Sequence, residues 1–184
     1  NLNCVHCRRL DVSQQVMNTD LTTEQAKAMI HSLRTLGRPI LVFSGGEPLM
    51  RGDIFELLDE ARDIGLPTAL ATNGTIVNDE VAQRIVQAGV HRVSMSFDGP
   101  DPDTHDKFRG IDGAFDATVR GFTALRDRGM SMQINTSITR HNFRMLDRIY
   151  QLALDLKADA LHTFMLVPVG CGMTISEDVR LNPD

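Results

Sequence analysis

The fold is constrained most by one alternation that runs the length of the chain: apolar residues at helical spacing, a glycine, then a short apolar run. Ala26, Met29, Ile30, Leu33 and Leu36 return every three or four residues, the pattern of a helix with one buried face, and Gly37 ends it. Thr22 stands ahead as N-cap, with Gln25 at the capping-box position. Residues 39–43 are a continuous apolar run, which reads as a strand buried on both faces. A helix over 53–64 and a strand over 68–71 follow, the strand ending in Thr72-Asn73-Gly74. Then come a helix over 79–88, a strand over 91–97, a helix over 113–128, a strand over 131–138, a helix over 142–156 and a strand over 161–167.

Units of about 25 to 35 residues have the size of a strand with its crossover helix, which predicts an α/β fold of parallel strands with right-handed connections. The pattern counts five strands and five helices and opens on a helix. A strand ahead of residue 1 would complete six units. An open sheet and a partial barrel both fit, and in either case ligands gather at the carboxyl ends of the strands.

Composition narrows the function classes. At 184 residues the chain is read as one domain, 1–184. A net charge of −5 argues against a nucleic-acid surface, which needs clustered Lys and Arg. No apolar run approaches the ~20 residues that span a bilayer, and no signal-peptide pattern opens the chain. With three cysteines there is no disulfide framework, so the expected compartment is the cytoplasm, without membrane or nucleic-acid partners.

Polar residues cluster where strands end. The run 39–43 leads into Ser44-Gly45-Gly46-Glu47-Pro48, where two glycines allow close backbone approach and carbonyls or the Glu47 carboxylate can accept from an amine. A tight turn before a helix-leading proline fits the same residues. Thr72-Asn73-Gly74 reads first as a turn. Ser94, Ser96 and Asp98 share one face of their strand, as do Gln133, Asn135 and Ser137 of theirs. Polar groups on a buried strand need partners, either a ligand or neighbouring backbone.

The cysteines form a pair, Cys4-Val-His6-Cys7, with Cys171 far away. Zinc would need two further ligands, and the remaining cysteine and histidines offer no second pair at finger spacing. A thioredoxin-like pair would follow a strand and open a helix, whereas a polar stretch follows here. An iron–sulfur cluster needs thiolates; two are present, and a third would fall just ahead of residue 1.

The combination resembles one family across essentially the whole chain. Asn1-Leu-Asn-Cys4-Val-His-Cys7 is similar to the tail of the Cys-x-x-x-Cys-x-x-Cys motif of radical S-adenosylmethionine enzymes. Ser44-Gly-Gly-Glu-Pro48, Thr72-Asn-Gly74, Val93-Ser-Met-Ser-Phe-Asp-Gly99 and His105-Asp-Lys-Phe-Arg-Gly110 resemble further family segments, in the family's order. The resemblance implies a (β/α)6 partial TIM barrel, here lacking its first strand. It implies a [4Fe–4S] cluster held by three thiolates, with S-adenosylmethionine chelating the remaining iron and cleaved by one electron to a 5′-deoxyadenosyl radical that takes hydrogen from substrate. By the same resemblance Cys4 and Cys7 are metal ligands. Gly45, Gly46 and Glu47 hold the methionine amine, Ser96 and Gln133 the carboxylate, Thr72 and Asn135 the ribose, and the backbone near Val167 the adenine. His6 stands where many members carry an aromatic residue near adenine, and Cys171 reads as a lone thiol.

The segments from Asp98 to Gly110 and from Leu166 to Gly170 most resemble the branch that modifies haem precursors and matures peptides. That implies a core-domain fragment, with its first cluster cysteine ahead and a cysteine-rich extension beyond. The expected substrate is a small tetrapyrrole, decarboxylated oxidatively, with a peptide as the alternative and an electron donor such as flavodoxin or ferredoxin. The rival classes are a Cys-x-x-Cys thiol oxidoreductase and a zinc-binding module.

Overall fold

A computed structural model describes residues 20–165 together with Leu2, Cys4, Val179 and Leu181. Helix α1 (Thr23–Thr35) begins as its sequence predicts: the Thr22 hydroxyl accepts from Gln25 N–H while the Gln25 side chain accepts from Thr22 N–H. The chain continues through β1 (Leu41–Phe43), a 3₁₀ turn (Pro48–Met50), α2 (Ile54–Asp63), β2 (Thr68–Thr72), α3 (Asp79–Gln87) and β3 (Arg92–Ser96). It then forms α4 (Pro102–Arg109), α5 (Ala114–Arg126), β4 (Met132–Ile138), a second 3₁₀ turn (Phe143–Met145), α6 (Leu146–Asp155) and β5 (Ala160–Met165).

The five strands pair in chain order, β1-β2-β3-β4-β5, and every pairing is parallel. Sequential order with one hand of crossover leaves all connecting helices on the same side of the sheet, which is barrel topology and not a doubly wound sheet. The packing agrees. Leu70, Val93, Met95, Met132 and Ile134 from one sheet face join Leu58, Ile85, Phe122, Leu125 and Ala153 of the helices in one core, which includes Phe97 packed edge-on against Phe115 and Phe122. Helix α1 closes a smaller cluster, in which Ala26 and Ile30 meet Leu57, Ala61 and Leu66. Among the described residues no helix is long and apolar enough to cross a membrane.

Three expectations change. Residues 39–43 are not a strand buried on both faces: β1 is three residues long, and Ile40 and Val42 are 69% and 55% exposed. Alternation turns Leu41 and Phe43 toward the helices and Val42 toward the helix-free face, which is only partly covered. The segment after β3 is not a loop but α4, a sixth helix among the described residues. Asp101 caps it by accepting from Thr104 N–H at 2.9 Å, Pro102 occupies its first turn and Gly110 its C-cap. It lacks an apolar stripe, so periodicity is silent there. Finally, the predicted 142–156 helix becomes a 3₁₀ turn followed by α6, because Asn142 turns its amide inward to Asp98 O and Ser137 O. Residues 166 and 167 of the predicted last strand lie outside the described residues.

At Gly121 helix α5 approaches the loop after β2 closely. A Cβ there would stand 2.6 Å from Gly74 O and 2.9 Å from Val77 Cβ. Alanine normally favours a helix interior over glycine by ~1 kcal/mol. Here overpacking against backbone, typically ~1–3 kcal/mol, opposes that gain. Gly121→Ala is expected to lower the urea midpoint with an unchanged m-value; a raised midpoint would mean that α5 has room to move.

Candidate functional site

The site lies at the carboxyl end of the sheet, where β1 to β4 deliver their polar termini. After β1 the backbone turns at Gly45 with φ 145°, a conformation that side chains rarely adopt. A Cβ at Gly45 or Gly46 would meet nothing within 4 Å. The two glycines therefore border open space and offer bare backbone to whatever enters it. Glu47, by contrast, is buried and fully engaged. Its Oε1 accepts from the Thr72 hydroxyl at 2.7 Å and from Leu49 N–H at 3.2 Å, and its Oε2 accepts from Asn73 N–H at 2.8 Å. The Thr72 hydroxyl in turn accepts from Gly74 N–H at 3.0 Å. The carboxylate thus clamps the β1 loop to the end of β2, and the backbone of Gly45 and Gly46 is the surface left for a ligand.

On the helix-free face, register brings the predicted polar residues together. Ser96 pairs with Asn135 and Ser94 with Gln133, and side chains of paired residues in a parallel ladder share a face. Gln133 Nε2 donates to Asn135 Oδ1 at 2.7 Å. Ala69 and Ala71 of β2 are short-chained neighbours in the same layer, Ala71 in register with Ser94. Thr72 is in register with Met95, on the opposite face, with its hydroxyl turned to Glu47.

A second cluster, which the sequence reading did not assign to the site, surrounds Asp98. Its Oδ1 accepts from Ser137 N–H at 2.7 Å and its Oδ2 from Arg109 Nη2. Arg109 Nη1 donates to Cys4 Sγ at 3.7 Å. Both are buried, Arg109 to 7% exposure and Cys4 to 8%. Burial pulls the Arg109 pKa down, but Asp98 and Cys4 outweigh it and the net direction is up, so the guanidinium stays charged. Removing one partner of such a pair strands a buried charge, typically at ~3–5 kcal/mol.

The residues 105–110 now have separate tasks. His105 packs on Phe97 and Phe115, each with ring centroids 5.8 Å away, and its Nδ1 accepts from Asp98 N–H at 3.2 Å. Asp106 accepts from Gly113 N–H at 2.6 Å and Phe115 N–H at 2.7 Å, which caps α5. Arg109 reaches Asp98 and Cys4. The available signal was the spacing of Asp98 and Arg109, which α4 converts into contact.

Cys7, His6, Cys171 and Val167 lie outside the described residues. The donor set that is described fits two kinds of group. A buried thiol facing a fixed guanidinium suits a thiolate bound to an anionic metal–sulfur centre. Arg109 Nε, buried and without a hydrogen-bond partner among the described residues, adds a donor for the same centre. The open glycine turn suits an ammonium group, whose N–H bonds match exposed carbonyls.

Comparison with known proteins identifies the family. A family model described as the Radical SAM superfamily matches residues 1–153. The chain is 45% identical over 172 residues to AdoMet-dependent heme synthase of Methanosarcina barkeri (strain Fusaro / DSM 804), covering 94% of this chain and 49% of that protein. It is 37% identical over 182 residues to Fe-coproporphyrin III synthase of the same organism, covering 98% and 45%. The chain therefore spans about half the length of these curated relatives. Among solved structures, Streptococcus suis SuiB bound to precursor peptide SuiA is similar with a TM-score of 0.76 at 17% identity, over 96% of this chain and 39% of that one, which shows the shared fold.

The cluster predicts a pH dependence. Burial first, then the Arg109 charge, push His105 from an ordinary 6.5 down to about 4, against the pull of Asp98 and Asp106. Above pH 6.5 the imidazole is neutral folded and unfolded, and its full contribution is present. Below that, only the unfolded chain takes up the proton, so stability falls with pH by up to ~1.4 kcal/mol per unit until about pH 4. Urea unfolding from pH 7 to pH 4 reads this slope. His105→Asn, which keeps an acceptor for Asp98 N–H, is expected to flatten it; an unchanged slope would assign the dependence to other groups.

Proposed function

Because the chain belongs to the radical S-adenosylmethionine superfamily, we propose that it forms the cofactor-binding core of an enzyme that cleaves S-adenosylmethionine reductively to modify a haem precursor. The observation that carries this is the pairing, at one end of the sheet, of a buried cysteine beside a guanidinium with a glycine turn open to solvent. When bound, a [4Fe–4S] cluster and S-adenosylmethionine supply one-electron cleavage of the sulfonium and a 5′-deoxyadenosyl radical.

The chain's own residues bind, orient and shield. Cys4 and Cys7 are the proposed cluster ligands. Gly45, Gly46 and Glu47 receive the methionine ammonium on their backbone, while the Glu47 side chain holds the turn in shape through Thr72 and Asn73. Ser96 and Gln133 are proposed to meet the carboxylate. Asn135, oriented by Gln133, faces the ribose, and Thr72 serves that end of the site by fixing Glu47. The short alanine side chains of β2 suit a bulky ligand on the helix-free face.

The proposed substrate is an iron-bearing tetrapyrrole with propionate side chains, modified by oxidative decarboxylation. Support comes from two relatives above 30% identity whose names refer to haem and Fe-coproporphyrin. A flavodoxin or ferredoxin is the proposed electron source. The peptide-maturing alternative has the fold likeness to SuiB behind it, at an identity that speaks for fold alone.

Three measurements test this reading on the full-length protein after anaerobic reconstitution. Iron, sulfide and 5′-deoxyadenosine are expected in the wild type with a strong reductant, and Cys4→Ala is expected to lose the cluster. Stoichiometric zinc in place of iron and sulfide would overturn the assignment. Glu47→Gln is expected to keep the cluster but weaken S-adenosylmethionine binding about tenfold, ~1.4 kcal/mol, by loosening the glycine turn. Unchanged binding would reduce the segment to a structural turn. Turnover that responds to iron coproporphyrin and not to peptides would favour the tetrapyrrole branch; the reverse would favour the maturase.

A further inference from the structure

We infer that Arg109 is a positioning residue for the metal centre: clamped by Asp98, its guanidinium donates to the sulfur of Cys4 and raises the reduction potential of the cluster that Cys4 holds. The inference rests on the proposed role of Cys4 as a cluster ligand and adds to it a residue that the sequence motifs left unassigned.

Arg109 sits at the last turn of α4, and its position is fixed from the protein side. Nη2 is paired with Asp98 Oδ2, and Asp98 Oδ1 is bound to Ser137 N–H at 2.7 Å, so the guanidinium is anchored to the ends of β3 and β4 and not to a surface loop. Nη1 lies 3.7 Å from Cys4 Sγ, within the range of an N–H···S hydrogen bond. Nε is buried and has no hydrogen-bond partner among the described residues. A buried N–H without an acceptor is costly, and native proteins rarely keep one without a reason. A cluster sulfur beside Cys4 would be such an acceptor.

The chemistry follows from charge. Reduction adds an electron to an already anionic centre, and a nearby cation with N–H donors to its sulfurs stabilises the reduced form more than the oxidised one. Lysine could not replace this geometry, since one ammonium cannot present the planar fork that engages Asp98 and Cys4 at once. The competing view is that Arg109 only neutralises Asp98.

The two views separate in reconstituted full-length protein by an electron-paramagnetic-resonance redox titration without substrate. Arg109→Gln alone leaves Asp98 unpaired and is not the variant of choice. The double variant Asp98→Asn with Arg109→Gln removes both charges together, and Arg109→Lys keeps the charge but loses the fork. Circular dichroism verifies the fold of each. The double variant is expected to titrate at a lower potential, with the oxidised-to-reduced ratio at fixed potential raised about tenfold, 59 mV for a one-electron couple. Arg109→Lys is expected to fall between it and the wild type. Should the double variant fold without retaining iron, Arg109→Lys decides alone: a lowered potential supports the inference, and a wild-type potential overturns it. A potential and spectrum identical to wild type in both variants would overturn it and leave Arg109 as the partner of Asp98 alone. A wild-type protein that binds no iron and sulfide would instead overturn the proposed function itself.

Discussion

Asp98 and Arg109 lie almost fully buried against each other, and the carboxyl end of the sheet is organised around them. Asp98 follows β3, accepts from the backbone of β4 through Ser137, and receives Arg109 from α4. Its own backbone donates to His105 and accepts from Asn142. One carboxylate residue thus joins two strands and the start of two further segments. Arg109 extends the connection to Cys4, more than a hundred residues earlier in the chain. A buried pair of this kind contributes little net stability over a packed apolar core; its value is that it specifies one arrangement, since any shift leaves a charge uncompensated.

Glu47 repeats the device one strand pair away. It follows β1 and accepts from Asn73 N–H just past the end of β2, as Asp98 follows β3 and accepts from Ser137 N–H near the end of β4. Parallel strands leave unpaired backbone groups at their ends. Here two carboxylates meet such groups and draw neighbouring loops together. Both are buried, so neither carboxylate is freely presented to a ligand. What they leave exposed is backbone at Gly45 and Gly46 and the polar layer of Ser96, Gln133 and Asn135.

Much of this architecture was legible in the sequence. The 3.6-residue period of Ala26, Ile30 and Leu33, the Thr22–Gln25 capping box and the glycines after four of the five predicted helices (Gly37, Gly65, Gly89 and Gly129) place the elements within a few residues. That Ser94 and Ser96 share a face, as do Gln133 and Asn135, was legible because side chains alternate along a strand; that the two sets lie side by side was decided by the pairing of β3 with β4. Helix α4 was not legible as a helix: Asp101, Pro102 and Gly110 mark its ends, but no apolar stripe connects them. The engagement of Glu47 by Thr72 was not legible either, since the two are 25 residues apart and meet only when β1 and β2 pair. The exposure of Val42 was hidden because an apolar run looks the same whether one face or both are covered.

The sequence by itself determined the alternation of helix and strand, the parallel α/β class, and the family motifs, because each is written in local spacing. Only the tertiary structure decided that all helices lie on one side of the sheet, that Glu47 and Asp98 act as clamps, and that Arg109 stands beside Cys4. Those facts depend on which strands pair and in what register, and the hydrogen bonds that fix them join residues whose separation along the chain carries no local signal.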